Sequence, residues 1–292
     1  MKKATILVLG LSLFFASCSF DDAEDQQANF NLAISGLENL GTNYVYEGWL
    51  VNGSDVVSSG RFSVNVFGQL SLSTFVVDKS KLENATTFVL TIEPTSGDVP
   101  APSNVHILAG DFTRNSGTLS LNHPAAFGAN FAVASGKYIL ATPTDGGIMT
   151  NEESGLWFLD NSSGSPMVGL NLPRLPTGWK YEGWAVINGT PVSTGTFTSV
   201  SGVDASASFS GPSAGPPFPG EDFLMNAPAG LTFPTNLRGG LSVISIEPNP
   251  DNSPLPFSLK PLVHNIPSDA AVHTVYNMNL NLTSFPTGLF YR

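Results

Sequence analysis

The chain has 292 residues, 12 of them basic and 23 acidic, for a formal charge of −11 at pH 7. That balance repels nucleic-acid phosphates and anionic lipid and argues against a nucleic-acid partner. Charged residues make up 12% and hydrophobic residues 41%, enough to bury a sizeable core over a length that suits two domains; one cysteine leaves no disulfide within the chain.

Met1-Lys2-Lys3, the uncharged stretch 4–15 and Ala16-Ser17-Cys18 form a basic segment, an apolar segment and a small-residue cleavage point. Together they predict a signal peptide over residues 1–17. The apolar run is shorter than the ~20 residues that cross a bilayer. Phe15-Ala16-Ser17-Cys18 resembles the bacterial lipobox, with Phe15 where leucine is usual. The resemblance implies cleavage before Cys18 and lipid on its sulfur, hence a membrane partner through acyl chains worth ~0.8 kcal/mol per CH₂. A buried free thiol is the alternative, but the place of Cys18 directly after the apolar run favours lipidation. Residues 18–28, which include Asp21, Asp22, Glu24 and Asp25, read as an acidic disordered tether. Ser19 resembles the residue after the cysteine in lipoproteins sent to the outer membrane, so the expected location is the cell envelope, outer rather than inner membrane.

Beyond the tether the chain carries matched blocks in one order. Tyr46-Glu47-Gly48-Trp49 recurs as Tyr181-Glu182-Gly183-Trp184, each followed by Asn-Gly (Asn52-Gly53 and Asn188-Gly189). Ser59-Gly60-Arg61-Phe62 recurs as Thr194-Gly195-Thr196-Phe197, and the run 89–94 ending in Glu93-Pro94 recurs as 243–248 ending in Glu247-Pro248. The expectation is an all-β chain of two similar β-sandwich domains related by internal duplication, over 29–150 and 151–292. The second copy adds a proline- and glycine-rich segment, Gly211 to Gly220.

The local pattern is that of strands. Residues 44–51 alternate, Asn-Gly suits a type I′ turn, and Phe62, Val64 and Val66 form one face of the return. Asp78 is placed to cap one helical turn to Leu82. Phe88, Leu90 and Ile92 alternate up to Pro94, which cannot donate to a ladder. Further strands are expected over 105–112, 118–121, 137–142, 156–159, 170–172, 259–263 and 274–280, with 142–165 as linker. No long segment keeps apolar residues at helical spacing. Short strands between turn residues indicate sandwiches or barrels.

On Tyr46, Trp49, Gly53, Gly60, Phe62, Glu93, Pro94 and Gly97, and on Tyr181, Trp184, Gly189, Gly195, Phe197, Glu247 and Pro248, the chain resembles the extracytoplasmic C-terminal domain of anti-sigma-K factors. The resemblance covers about half of each copy and implies an extracytoplasmic β-rich domain. Those factors also carry a cytoplasmic sigma-binding domain and one membrane helix, neither of which is matched here, so sigma binding is not implied.

Candidate chemistry is sparse. Glu47 and Glu182 share a strand face with Trp49 and Trp184, an arrangement that suits sugar binding or a general acid of raised pKa. One such carboxylate per copy, in the same place, fits a structural role better, and Glu93-Pro94 and Glu247-Pro248 read the same way. Gly211-Pro212-Ser213-Ala214-Gly215 matches the nucleophile-elbow pattern, but Pro216, Pro217 and Pro219 forbid the helix it needs. His106, His123, His264 and His273 have no metal-ligand spacing, and Asp160-Asn161-Ser162 and Asp251-Asn252-Ser253 suit Asx turns better than calcium. The reading is therefore a non-enzymatic binding, structural or sensing module with no metal or cofactor and an unknown protein or glycan ligand. A carbohydrate-binding or carbohydrate-active surface lipoprotein is the alternative, and an envelope-stress regulator a third reading.

Overall fold

The computed structural model describes residues 26–250 and 253–292. Cys18, the signal segment, most of the expected tether and Asp251-Asn252 lie outside the described residues. No helix among the described residues is long and apolar enough to cross a membrane.

The fold is all-β, made of antiparallel sheets. Its first elements are β1 (Gln27–Ser35), β2 (Tyr44–Asn52), β3 (Asp55–Phe62), β4 (Thr74–Asp78), the short helix α1 (Lys79–Asn84), β5 (Thr87–Pro94), β6 (His106–Asp111) and β7 (Ser116–Leu119). Then follow β8 (Ser135–Leu140), β9 (Gly155–Trp157), β10 (Leu159–Asp160), β11 (Met167–Val168), β12 (Leu170–Asn171), β13 (Trp179–Ile187), β14 (Thr190–Phe197) and β15 (Gly220–Asp222). β16 (Leu241–Pro248), β17 (Leu262–Asn265), β18 (Tyr276–Asn277), β19 (Asn279–Leu280) and β20 (Thr287–Tyr291) complete the chain.

One sheet, β3-β2-β5-β6, lies against a second, β4-β1-β20-β7. Alternation in β1 points Phe30, Leu32 and Ile34 inward, and the Phe30 and Phe290 rings lie 4.9 and 5.4 Å from Phe88 of β5. The other half repeats the layering, with β14-β13-β16-β17-β19 facing a sheet of β12-β8-β9-β15, to which β18 adds along β8. Tyr138 of β8 reaches across to His264 of β17 at 2.8 Å.

The strands do not divide at residue 150. β20 runs back to pair with β1 and β7, while β8 belongs to the second half's layers. Gln27 and Ala28, at the end of the expected tether, already pair with Asp78 and Val77. The halves pack through Trp179, whose ring lies 4.8 Å from Phe127 and whose indole N–H donates to the His106 carbonyl at 3.1 Å. One apolar cluster extends from Phe30 through Trp179 to Phe290.

The two motif-bearing sheets share their register. Tyr46 opposes Phe62 and Ile92, as Tyr181 opposes Phe197 and Ile246. Both hairpins bulge after the motif glycine, at Gly48/Trp49 and Gly183/Trp184. The facing glycines Gly60 and Gly195 have φ of +126° and +125°, which a side chain rarely adopts. The hairpin turns differ. Asn188-Gly189 has both φ positive, as a type I′ turn requires. In the first hairpin Asn52 is the last strand residue, paired with Asp55, so the loop is Gly53-Ser54 and the turn falls one residue later than Asn-Gly suggests. Asp78 caps α1, its Oδ1 accepting from the Lys81 N–H at 2.9 Å.

Candidate functional site

The repeated residues build a hydrogen-bonded relay inside each sheet. The Trp49 indole N–H donates to Thr91 Oγ1 at 2.8 Å, the Thr91 hydroxyl donates to Glu93 Oε1, and the Ser103 N–H donates to the same oxygen at 2.8 Å. In the other sheet Trp184 donates to Ser245 Oγ at 2.8 Å, Ser245 donates to Glu247 Oε1, and the Phe257 N–H donates there at 2.9 Å. The geometry follows from the register, which sets Trp49 near Thr91 across β2 and β5 and puts Glu93 two residues on, on the same face. All six side chains are buried, and burial pushes the Glu93 carboxyl above the usual carboxylate range against its two donors.

The other motif carboxylates also turn inward. Glu47 Oε1 accepts from the Ser58 hydroxyl at 2.5 Å and its Oε2 from Arg61 at 2.7 Å, and Arg61 continues to Asp98. Glu182 accepts from Ser193. Tyr46 stacks on Phe62 at 5.5 Å and donates to the Glu38 carbonyl at 2.9 Å; Tyr181 stacks on Phe197 at 5.7 Å and donates to the Pro173 carbonyl at 2.7 Å. Gly48 and Gly183 have no room for a side chain, since an added Cβ would lie 2.7 Å from Phe88 in one and 2.6 Å from Phe158 in the other. Glu47 is 5% exposed and Trp49 3%, so neither presents an open face to a glycan.

Where the two relays end, the structure brings Pro94 and Pro248 to one cleft of about 510 Å³. The first half contributes Leu40, Tyr44, Ile92 and Val105, and the second Pro250, Leu255 and Phe257. Proline ends both strands because it cannot donate to a ladder, and Val105 beyond the first and Pro250 and Leu255 beyond the second line the space between. Glu38 is the single acidic or basic residue of the lining among the described residues, and its Oε2 accepts from the Ser258 N–H at 2.6 Å. Behind it Lys260 is held below the usual lysine range by burial, opposed by Glu38 and Glu247. A mainly apolar space with a few polar groups can hold a ligand by burial; among the described residues it offers no pair of open carboxylates for acid–base work.

The sequence pointed to the motif residues but not to Thr91, Ser245, Ser103 or the meeting of Pro94 with Pro248. The signal for the first two was the Thr/Ser two places before each Glu. The other candidates are spread over the molecule. Ser213 is exposed on an irregular loop with no helix after it. Asp160 takes the Ser162 N–H at 2.9 Å in an Asx turn and pairs with Lys137 at 2.6 Å, which with Ser162 lowers its pKa to about 2. His106, His123, His264 and His273 bond to Ala125, Asp111, Tyr138 and Glu152 respectively. No group of three or more His, Cys, Asp or Glu that could hold a metal ion occurs among the described residues. No protein-family model, curated protein or solved structure matches the chain.

Proposed function

We propose that the chain is a lipid-anchored extracytoplasmic binding module of the cell envelope, held by lipid on Cys18, with its ligand in the cleft between the two Glu-Pro strand ends. On this reading the halves derive from an internal duplication of a domain similar to the extracytoplasmic part of anti-sigma-K factors. The shared strand register supports that origin. The protein is not an enzyme, and the outer membrane is its site.

One observation carries the binding reading. Oε1 of each relay carboxylate is taken up by a strand hydroxyl and a loop N–H of its own half, whereas the cleft they flank leaves Leu40, Tyr44, Ile92 and Leu255 lining open space. A pocket of this size and lining suits a small apolar molecule. The test is titration of the full chain with the neutral fluorescent probe N-phenyl-1-naphthylamine. Its emission rises with the parent and falls back with Leu40→Asp and Leu255→Asp, at unchanged thermal melting. Equal emission with both variants defeats the reading of the cleft. Radiolabelled fatty acid incorporated by the parent and not by Cys18→Ala checks the anchor separately.

A further inference from the structure

A second cleft, of about 410 Å³, opens in the other half beside the proline- and glycine-rich segment that the first half lacks. Trp157, Asp204, Ser206, Ser210, Ser213 and Pro216 are among its lining residues. The comparison between halves marks Asp204. Over Gly60 of the first hairpin lies the ring of Phe75, 2.7 Å from where a Cβ would stand; over the matching Gly195 lies the carboxyl of Asp204, at 2.6 Å. A sealed apolar ring in one frame is thus an acid at the edge of a cleft in the other.

The surroundings of that acid are one-sided. Asp204 is the single ionisable residue lining the cleft, and the lining holds no Lys, Arg or His. Its oxygens accept the Gly220 N–H at 2.9 Å and the Ser206 N–H at 3.3 Å. Behind it Glu221 and Asp222 of β15 are fully buried. Asp222 is bonded by Trp157 at 2.6 Å and by the Thr144 N–H at 2.8 Å. Glu221 takes the hydroxyl of Ser210, and its Oε2 has no hydrogen-bond partner among the described residues. Burial, with Glu221 adding to it, raises Asp204 to about 7 against the two N–H groups. A carboxyl at the edge of a cleft whose lining holds no basic residue, with two more acids buried behind it, rejects anions and favours a ligand that brings the missing positive charge.

We propose that this cleft binds a compact organic cation, a protonated primary amine, with Asp204 as its counter-ion. The hydroxyls of Ser206, Ser210 and Ser213 supply acceptors for the remaining ammonium hydrogens, and Pro216 and the Trp157 ring edge meet an apolar body. The site is separate from the junction cleft, so its failure leaves that reading intact.

The test is calorimetric titration of the full chain with putrescine, and with 1,4-butanediol as its neutral match. Putrescine binds at pH 8, and 1,4-butanediol about tenfold or more weaker, as loss of a charge-assisted hydrogen bond requires. At pH 5.5, where a group near 7 is mostly protonated, putrescine affinity falls about thirtyfold. The titratable groups packed around Asp204 are Glu221 and Asp222, both also raised by burial; Gly195 and Thr196 of β14 and the segment 211–220 carry none. Asp204→Asn removes the binding and its pH dependence, and Ser213→Trp blocks the cleft while leaving Asp204 in place. Equal affinity for diamine and diol, undiminished binding by Asp204→Asn, or no putrescine binding by the folded parent at pH 8 overturns the proposal.

Discussion

Thr91 shows how little room a repeated motif has. Its hydroxyl stands between an indole N–H and a carboxyl, both buried, so it satisfies two groups at once. Thr91→Val keeps the shape but takes the acceptor from the indole N–H and one of two donors from the carboxyl, a loss of about 1–3 kcal/mol, and Ser245→Ala does the same in the other sheet. Urea denaturation measures both; an unchanged midpoint for each means the relay contributes nothing to stability. Asp204 acts with a definite sign. Its folded pKa, about 7, lies above the ordinary carboxylate value, so its contribution is fully present below pH ~4 and is lost as pH rises through 7. Asp204→Asn therefore melts higher than the parent at pH 8 and at the parent's temperature near pH 3.5. The same melting temperature difference at both pH values contradicts the raised pKa. The sequence exposed Trp49 and Glu93 because they recur. It gave no sign of Asp204, whose partner in the comparison is a phenylalanine and whose role exists only once Gly195 lies beneath it.

At the level of elements, the motif sheets were legible and their facing layer was not. β2, β3, β5, β13, β14 and β16 carry aromatic and β-branched alternation, fixed turns and terminal prolines, each a local signal. β1, β4 and β20 also alternate, through Phe30-Leu32-Ile34, Phe75-Val77 and Phe290, but their outward positions hold Asn, Ala, Thr and Leu, and two of them span five residues. So weak a period is readable only when the partner strand is known. The hairpin shift at Asn52 has a similar cause, since Gly53-Ser54 serves as the turn with a single positive-φ residue at Gly53. Phe290 tests the facing layer. It is fully buried between Phe30, Phe88 and Phe112, so Phe290→Ala costs about 3–5 kcal/mol. Leu289→Ala, half exposed on the same strand, costs much less. Equal losses at the two positions, read by thermal and urea melting, remove β20 from the core.

The whole molecule is held together by what no local pattern encodes. All-β character and two motif sheets follow from the sequence; the exchange of strands between halves does not, because β1 and β20 come from opposite ends of the chain and register between such strands leaves no trace in either one alone. This exchange predicts how the chain divides. A fragment of residues 29–150 lacks β20, leaving Phe30 and Phe88 uncovered and the inner edges of β1 and β7 unpaired. It also carries β8 without β9, β12 or β18. The complementary fragment carries β20 with nothing to pair it. Each alone is therefore expected to show no cooperative melting. Mixing them restores a single transition, because the missing pairs β1–β20 and β8–β9 then form between fragments. A cooperative transition in either fragment by itself means that each half closes around its own core, and that β20 is an addition to the first sheet, not a member of it.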